Sequence, residues 1–106
     1  TLQLNEEARA TQSLESLHAL YVETYDRRRY PFVTVLPLGQ MPRTASVVGT
    51  NNAQIGIAYQ EATGSLIAVR AIDNLCKGAA GQAVQCANIV CGFDQTTGLR
   101  MEALPV

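Results

Sequence analysis

The sequence predicts an α+β domain: a mostly antiparallel sheet with two main helices lying on one of its faces. Three observations carry that expectation. Leu14, Leu17, Leu20 or Tyr21, and Tyr25 recur every three to four residues, the one-sided stripe of an amphipathic helix. Short β-branched or alternating runs then fill the middle of the chain, and a helical stretch of small residues follows the last of them. Strands gathered between two helices, with no strand–helix alternation, point to an antiparallel layer rather than a doubly wound sheet.

Taken in order, Thr1 to Leu4 alternates enough to be a strand end, and the hydrophilic stretch Asn5 to Gln12 reads as a polar loop. Helix one follows, with Ser13 as its N-cap, because a serine hydroxyl can accept from the orphan N–H groups of the first turn. His18 falls off the apolar stripe and is expected on the exposed surface. The helix must end before Pro31, since a proline pushes the preceding residue out of helical geometry. Phe32 to Leu36 is a strand, Pro37 to Pro42 a shaped loop, and Ala45 to Val48 a second strand before a turn at Gly49–Asn52. In Ala53–Gln60, Ile55, Ile57 and Tyr59 share one face against Gln54, Gly56, Ala58 and Gln60, the pattern of a half-buried strand. A four-residue turn, Glu61–Gly64, leads back into Leu66–Ile72, apolar at nearly every position and therefore expected to be covered on both faces. Helix two runs from about Lys77 to Cys91 and stops at Gly92, and Phe93 to Val106 is a tail without periodicity. Its apolar stripe is Ala80, Ala83 or Val84, Ala87, and Val90 or Cys91, with Gln82, Gln85 and Asn88 on the other side.

Composition bounds the function. At 106 residues the chain is one domain or part of one, and 47% hydrophobic with 16% charged residues is globular, not disordered. A net charge of −1 gives no electrostatic case for binding nucleic acid or a membrane surface, and Arg27–Arg29 is simply a solvated helix end. No run is long and apolar enough to span a bilayer, and no signal-peptide pattern precedes the first element. The chain begins with Thr1, not Met, which fits a piece of a longer protein or a processed one. Cys76, Cys86 and Cys91 form no C-x-x-C pair, so neither a zinc site nor a disulfide framework is expected. They read as small buried thiols of a reducing, cytoplasmic compartment.

The chemistry concentrates where strand Leu66–Ile72 meets helix two. Asp73 and Asn74 are good caps, and the N–H groups of a first turn can hold a polar or anionic ligand group. Lys77 is the only lysine in the chain, and Gly78, Ala79, Ala80, Gly81 and Ala83 leave room for another backbone or a flat ligand. Two readings stand side by side: a tightly packed helix start, or the rim of a ligand site. Cys76 beside Lys77 could be an activated thiol, but His18, the sole histidine, lies on the other helix.

Asp73-Asn-Leu-Cys-Lys-Gly-Ala-Ala-Gly-Gln-Ala-Val-Gln85, followed by Asn88 and Gly92, closely resembles the C-terminal signature of the N-acetyl-gamma-glutamyl-phosphate reductases. Pro31-Phe32-Val33, Leu36-Pro37, Gly39-Gln40, Pro42, Gly49-Thr-Asn51 and Thr96-Thr-Gly-Leu99 match the same family in order and spacing, so the likeness runs from about Ser13 to Leu99. Leu38 departs from it, standing where the family usually has an acidic residue, and Asn5 to Gln12 matches poorly.

The resemblance implies the C-terminal part of the catalytic domain of a glyceraldehyde-3-phosphate-dehydrogenase-like reductase. Residues 1–75 would end the substrate and dimerisation domain, and residues 76–106 would form a helix and tail returning toward the nucleotide-binding domain. It further implies an NADP-dependent enzyme of arginine biosynthesis, a homo-oligomer, that reduces the acyl phosphate N-acetyl-glutamyl 5-phosphate to its semialdehyde. In that family a cysteine thiolate displaces phosphate to give a thioester, hydride reduces it, and a histidine moves the protons. Neither the nucleophile motif nor the histidine motif has a match among Thr1–Val106, so no catalytic residue and no metal ligand is assigned here and the chain alone is expected to be inactive. The cofactor edge is assigned to Asn74, Lys77 and Gly78, with Asn74 either meeting the nicotinamide carboxamide or serving only as a cap. The alternative is a free-standing, non-catalytic α+β module for ligand binding or oligomerisation.

Overall fold

A computed structural model describes residues 1–105, and Val106, the last residue of the tail, lies outside them. Strands β1 (Leu2–Gln3), β2 (Val33–Val35), β3 (Ala53–Gln60) and β4 (Ser65–Ile72) form one sheet in the order β1-β4-β3-β2. The long β3–β4 hairpin is antiparallel, as is β1 on β4. β2, however, runs parallel to β3, pairing Val33 with Ala53 and Val35 with Ile55, so the sheet is mixed, not mostly antiparallel. The cause is the connection: after β2 the chain travels through residues 36–52 and crosses back before β3 begins, and a crossover of that length delivers a parallel neighbour.

Helices α1 (Glu6–Thr11) and α2 (Leu14–Thr24) precede β2. The stretch expected as a polar loop is thus helical. Asn5 Oδ1 accepts from the Ala8 N–H at 2.8 Å, Glu6 and Glu7 sit in the first turn and Arg9 in the last. Caps and charges suited to the helix dipole make this helix, and it buries no side chain, so it leaves no apolar stripe to read. α2 is capped by Ser13 as expected, with Ser16 returning the bond in a capping box, and it ends well ahead of Pro31. Leu17 of α2 meets Ile57 and Leu66 in the core, with Leu4, Leu14, Tyr21, Ile55 and Tyr59 around them.

Ala45–Val48 is not a strand. Thr44–Ser46 forms a single 3-10 turn, and Val47 is driven into the interior, fully buried, by successive turns that close on Thr44 and Thr50. A β-branched run bounded by Pro42 and Gly49 is too short to reach a neighbour, and burial of one valine satisfies it instead. On the opposite face of the sheet from α2, the loop at Gln40–Pro42 crosses directly over Gly56: a Cβ there would come within 2.8 Å of Pro42 and 2.9 Å of the Gln40 carbonyl. β4 is not covered on both faces, because Ile67, Ala68, Val69 and Arg70 are exposed. His18 is half-buried and not a free surface residue, its Nε2 lying 2.8 Å from the Leu36 carbonyl.

Candidate functional site

β4 ends at Ile72 and the chain turns immediately into a π-helical segment, Cys76–Ala80, which continues as α3 (Gly81–Val90). The wider winding shows in its bonds, with Gly78 N–H donating to the Asp73 carbonyl and Ala80 N–H to that of Leu75, both at 3.0 Å. Gly92, with φ 75°, ends the helix where expected.

Asp73, not Asn74, caps this start. Its Oδ1 accepts from the N–H groups of Leu75 (2.8 Å) and Cys76 (3.0 Å), and Oδ2 accepts from Gly49 N–H at 2.8 Å. Those bonds, that from Gly49 foremost, hold the carboxyl below its usual pKa. The anion-binding capacity of the first turn is therefore taken up by the chain's own carboxylate, which leaves the position beside it to a neutral ligand group. Asn74 is exposed, and none of the hydrogen bonds at the junction uses its amide. It stands at the edge of a cleft of about 620 Å³ that also includes Arg43, Thr44, Arg70 and Ile72.

Two glycines of the junction differ in kind. At Gly81 a Cβ would strike Asn51 Oδ1 and lie 2.8 Å from the Cys76 carbonyl, so the glycine is required by packing within the chain. At Gly78 a Cβ would meet only ordinary contacts, at 3.5 Å from Ile72 and 3.7 Å from Asn74 Oδ1. Nothing in the chain needs Gly78 to be bare, and a methyl there would intrude on the approach to the Asn74 amide.

Lys77 is half-buried, its Nζ donating to Gln85 Oε1 at 2.7 Å and lying 5.4 Å from the centre of the Phe32 ring. Burial lowers its pKa from the ordinary lysine value, partly offset by the neighbouring Cys86. The structure thus brings Asn74, Lys77 and Gly78 to one junction. It also adds residues not singled out from sequence: Asp73 as the cap, and Asn51 and Gln85 beneath it. Asn51 is fully buried, donates to Gln85 Oε1 at 2.8 Å, and turns an otherwise unpartnered Oδ1 to Gly81. The clue was present in helix two, whose polar face, Gln85 and Asn88, is the one turned inward. The cysteines are not buried thiols, since Cys76 is half-buried and Cys86 and Cys91 are exposed. The apolar stripe of helix two is likewise exposed: Ile89 is 59% and Val90 85% accessible.

A family model described as "Semialdehyde dehydrogenase, dimerisation domain" matches residues 1–74. The chain belongs to that family. It is 50% identical over 92 residues to the N-acetyl-gamma-glutamyl-phosphate reductase of Mycobacterium avium (strain 104), covering 87% of this chain and 26% of that protein. It is 53% identical over 96 residues to the N-acetyl-gamma-glutamyl-phosphate reductase of Geobacter metallireducens, covering 91% and 27% respectively. That of Bacillus cereus (strain AH187) is 47% identical over 87 residues, 82% of this chain and 25% of the relative. The dimerisation domain and its following helix therefore span roughly a quarter of the length of these curated relatives. No helix among the described residues is long and apolar enough to cross a membrane.

Proposed function

We propose that this chain is the C-terminal part of an NADP-dependent N-acetyl-gamma-glutamyl-phosphate reductase, a cytoplasmic enzyme that makes N-acetyl-glutamate 5-semialdehyde for arginine biosynthesis. The observation that carries the reading is about 50% identity to such reductases across nearly nine tenths of the chain. Residues 1–75 end the substrate and dimerisation domain, and residues 76–106 return toward the nucleotide domain. The nucleophile and the acid–base histidine belong to the part of the enzyme outside these residues, so the chain alone has no reductase activity.

NADPH supplies the hydride when bound, and the residues at the junction fit one edge of that cofactor. Asn74 offers a donor and an acceptor to a carboxamide, as a neutral amide requires. Gly78 keeps the approach open, and Lys77 borders it. Asp73 fixes the backbone beneath all three without presenting a free anion site, which supports recognition of an uncharged ring substituent over a phosphate. Asn74→Asp in the complete reductase tests this. The cap belongs to Asp73 and survives, so the substitution should weaken NADPH binding about tenfold by misplacing one hydrogen bond. Unchanged NADPH affinity in a calorimetric titration would remove Asn74 from the cofactor edge.

The sheet face opposite α2 carries Thr34, Gln54, Gly56 and Ala58 without a charge, together with the exposed Ile67 and Val69. We assign it to a second copy of the chain, in keeping with the dimerisation-domain family. Sedimentation of the complete protein as a monomer at micromolar concentration would contradict that.

A further inference from the structure

The polar side chains under α3 are built as one connected set, with Gln85 at its centre. Gln85 Oε1 accepts two bonds at once, from Lys77 Nζ at 2.7 Å and from Asn51 Nδ2 at 2.8 Å. Its Nε2 donates to Gln95 Oε1 at 3.0 Å, and Gln95 in turn donates to the Arg29 carbonyl at 3.3 Å. Asn88, one turn further along, holds the same tail segment by donating to the carbonyls of Gln95 (3.2 Å) and Thr97 (2.9 Å). Both orientations of the Gln85 amide are thereby fixed: its oxygen must face Lys77 and Asn51, and its nitrogen must face Gln95. An amide with every partner specified has one rotamer and one flip. Lys77 has no such constraint of its own, being a long chain with four rotatable bonds whose ammonium would otherwise turn to water.

We propose that Gln85 is a positioning residue for the cofactor edge: anchored by Asn51 and Gln95, it holds the Lys77 ammonium at the junction beside Asn74 and Gly78. The proposal rests on the reading that Lys77 borders the NADP site. It adds that this placement is imposed from beneath, by a neutral acceptor. A neutral acceptor keeps the positive charge of Lys77 available to a ligand, whereas a carboxylate in the same place would cancel it. The ionisable neighbour that acts on Lys77 is Cys86.

Two measurements test it. Lys77 is the chain's only lysine, so lysine labelled with ¹³C gives a single side-chain resonance in the 106-residue protein. Gln85→Glu puts a carboxylate against Nζ and should raise the midpoint of that titration above the wild-type value. An unmoved midpoint means that Gln85 does not hold Lys77 in solution and overturns the proposal. In the complete reductase, NADP binding is titrated by calorimetry for Gln85→Met, Lys77→Met and the double variant. Loss of one charge-assisted hydrogen bond should weaken binding about tenfold in Gln85→Met. Lys77→Met should weaken it at least as much, and the double variant no further, because Gln85 acts through Lys77. Full multiplication of the two effects, or a silent Gln85→Met beside a weakened Lys77→Met, overturns the positioning role alone. A silent Lys77→Met with the Gln85→Glu titration shift present overturns the assignment of Lys77 to the cofactor site, and the positioning role falls with it.

Discussion

The two long helices of this chain are amphipathic in opposite senses. α2 buries Leu17 against Ile57 and Leu66 and gives its polar side to water. α3 buries Gly81 and Asn88, half-buries Gln85, and exposes Val84, Ile89 and Val90. Periodicity finds both stripes, because both repeat at helical spacing, but it does not say which side turns inward. α2 closes a core that the chain itself contains. α3 is held by polar bonds from Asn51, Lys77 and Gln95, which suits an element whose apolar side belongs to another body of the complete enzyme.

The sharpest way to break that contrast is to damage the core under α2. Leu17→Ala should cost about 2–5 kcal/mol by leaving a cavity among Ile57, Leu66 and Leu14, read as a shift in the urea midpoint. Under α3 the matching change adds a group instead of deleting one. Gly81→Ala should destabilise by about 1–3 kcal/mol through overpacking against Asn51 and the Cys76 carbonyl, outweighing the better helix propensity of alanine. Gly78→Ala should leave urea stability unchanged or slightly raised while weakening NADP binding in the complete reductase. If both glycine variants behave alike, the distinction between packing glycine and ligand-facing glycine is lost.

Acid should act on the junction before the core. The Asp73 carboxyl has its pKa held below the ordinary value by three accepted N–H bonds. Its contribution is fully present above the unfolded carboxylate pKa of about 3.9 and is lost as pH falls through the lower folded value. Asp73→Asn should lower the melting temperature at neutral pH, since an amide nitrogen can face the Gly49 N–H, and should flatten the loss of stability at low pH. Parallel melting curves for the two proteins from pH 7 to pH 2 would show that Asp73 is not a determinant of acid sensitivity. The smallest effect on the fold is expected at Val90→Lys, within about 0.5 kcal/mol because the side chain touches little. The same change should reduce self-association of the isolated chain, measured by sedimentation.

Much of this was legible in advance. The β3–β4 hairpin, the Ser13 cap and the Gly92 stop follow from alternation and local chemistry, and the structure repeats them nearly residue for residue. What was not legible depended on partners distant in sequence. The parallel pairing of β2 is decided by a crossover, and the fate of Ala45–Val48 by the burial of a single valine. α1 escaped because caps and charges form it without an apolar stripe. At the candidate site, Asn74, Lys77 and Gly78 were found from the junction and its resemblance to reductases. Asn51 and Gln85 were missed as its support because their bond spans 34 residues and carries no local pattern.

The π-helical segment Cys76–Ala80 has a geometric consequence for the whole C-terminal part. A π-turn behaves as an α-helix with one residue inserted, and each residue of an α-helix advances the azimuth by about 100°. Deleting one residue within 76–80 would therefore regularise the winding and rotate everything after it by about that angle. Gln85 and Asn88 would swing away from Asn51 and Gln95, and a different sector of α3 would come to face the body of the domain. The inverted helix is in this sense a phase relation, set by a single extra residue upstream. Chain length at this turn is thus under tighter constraint than residue identity along the exposed side that follows.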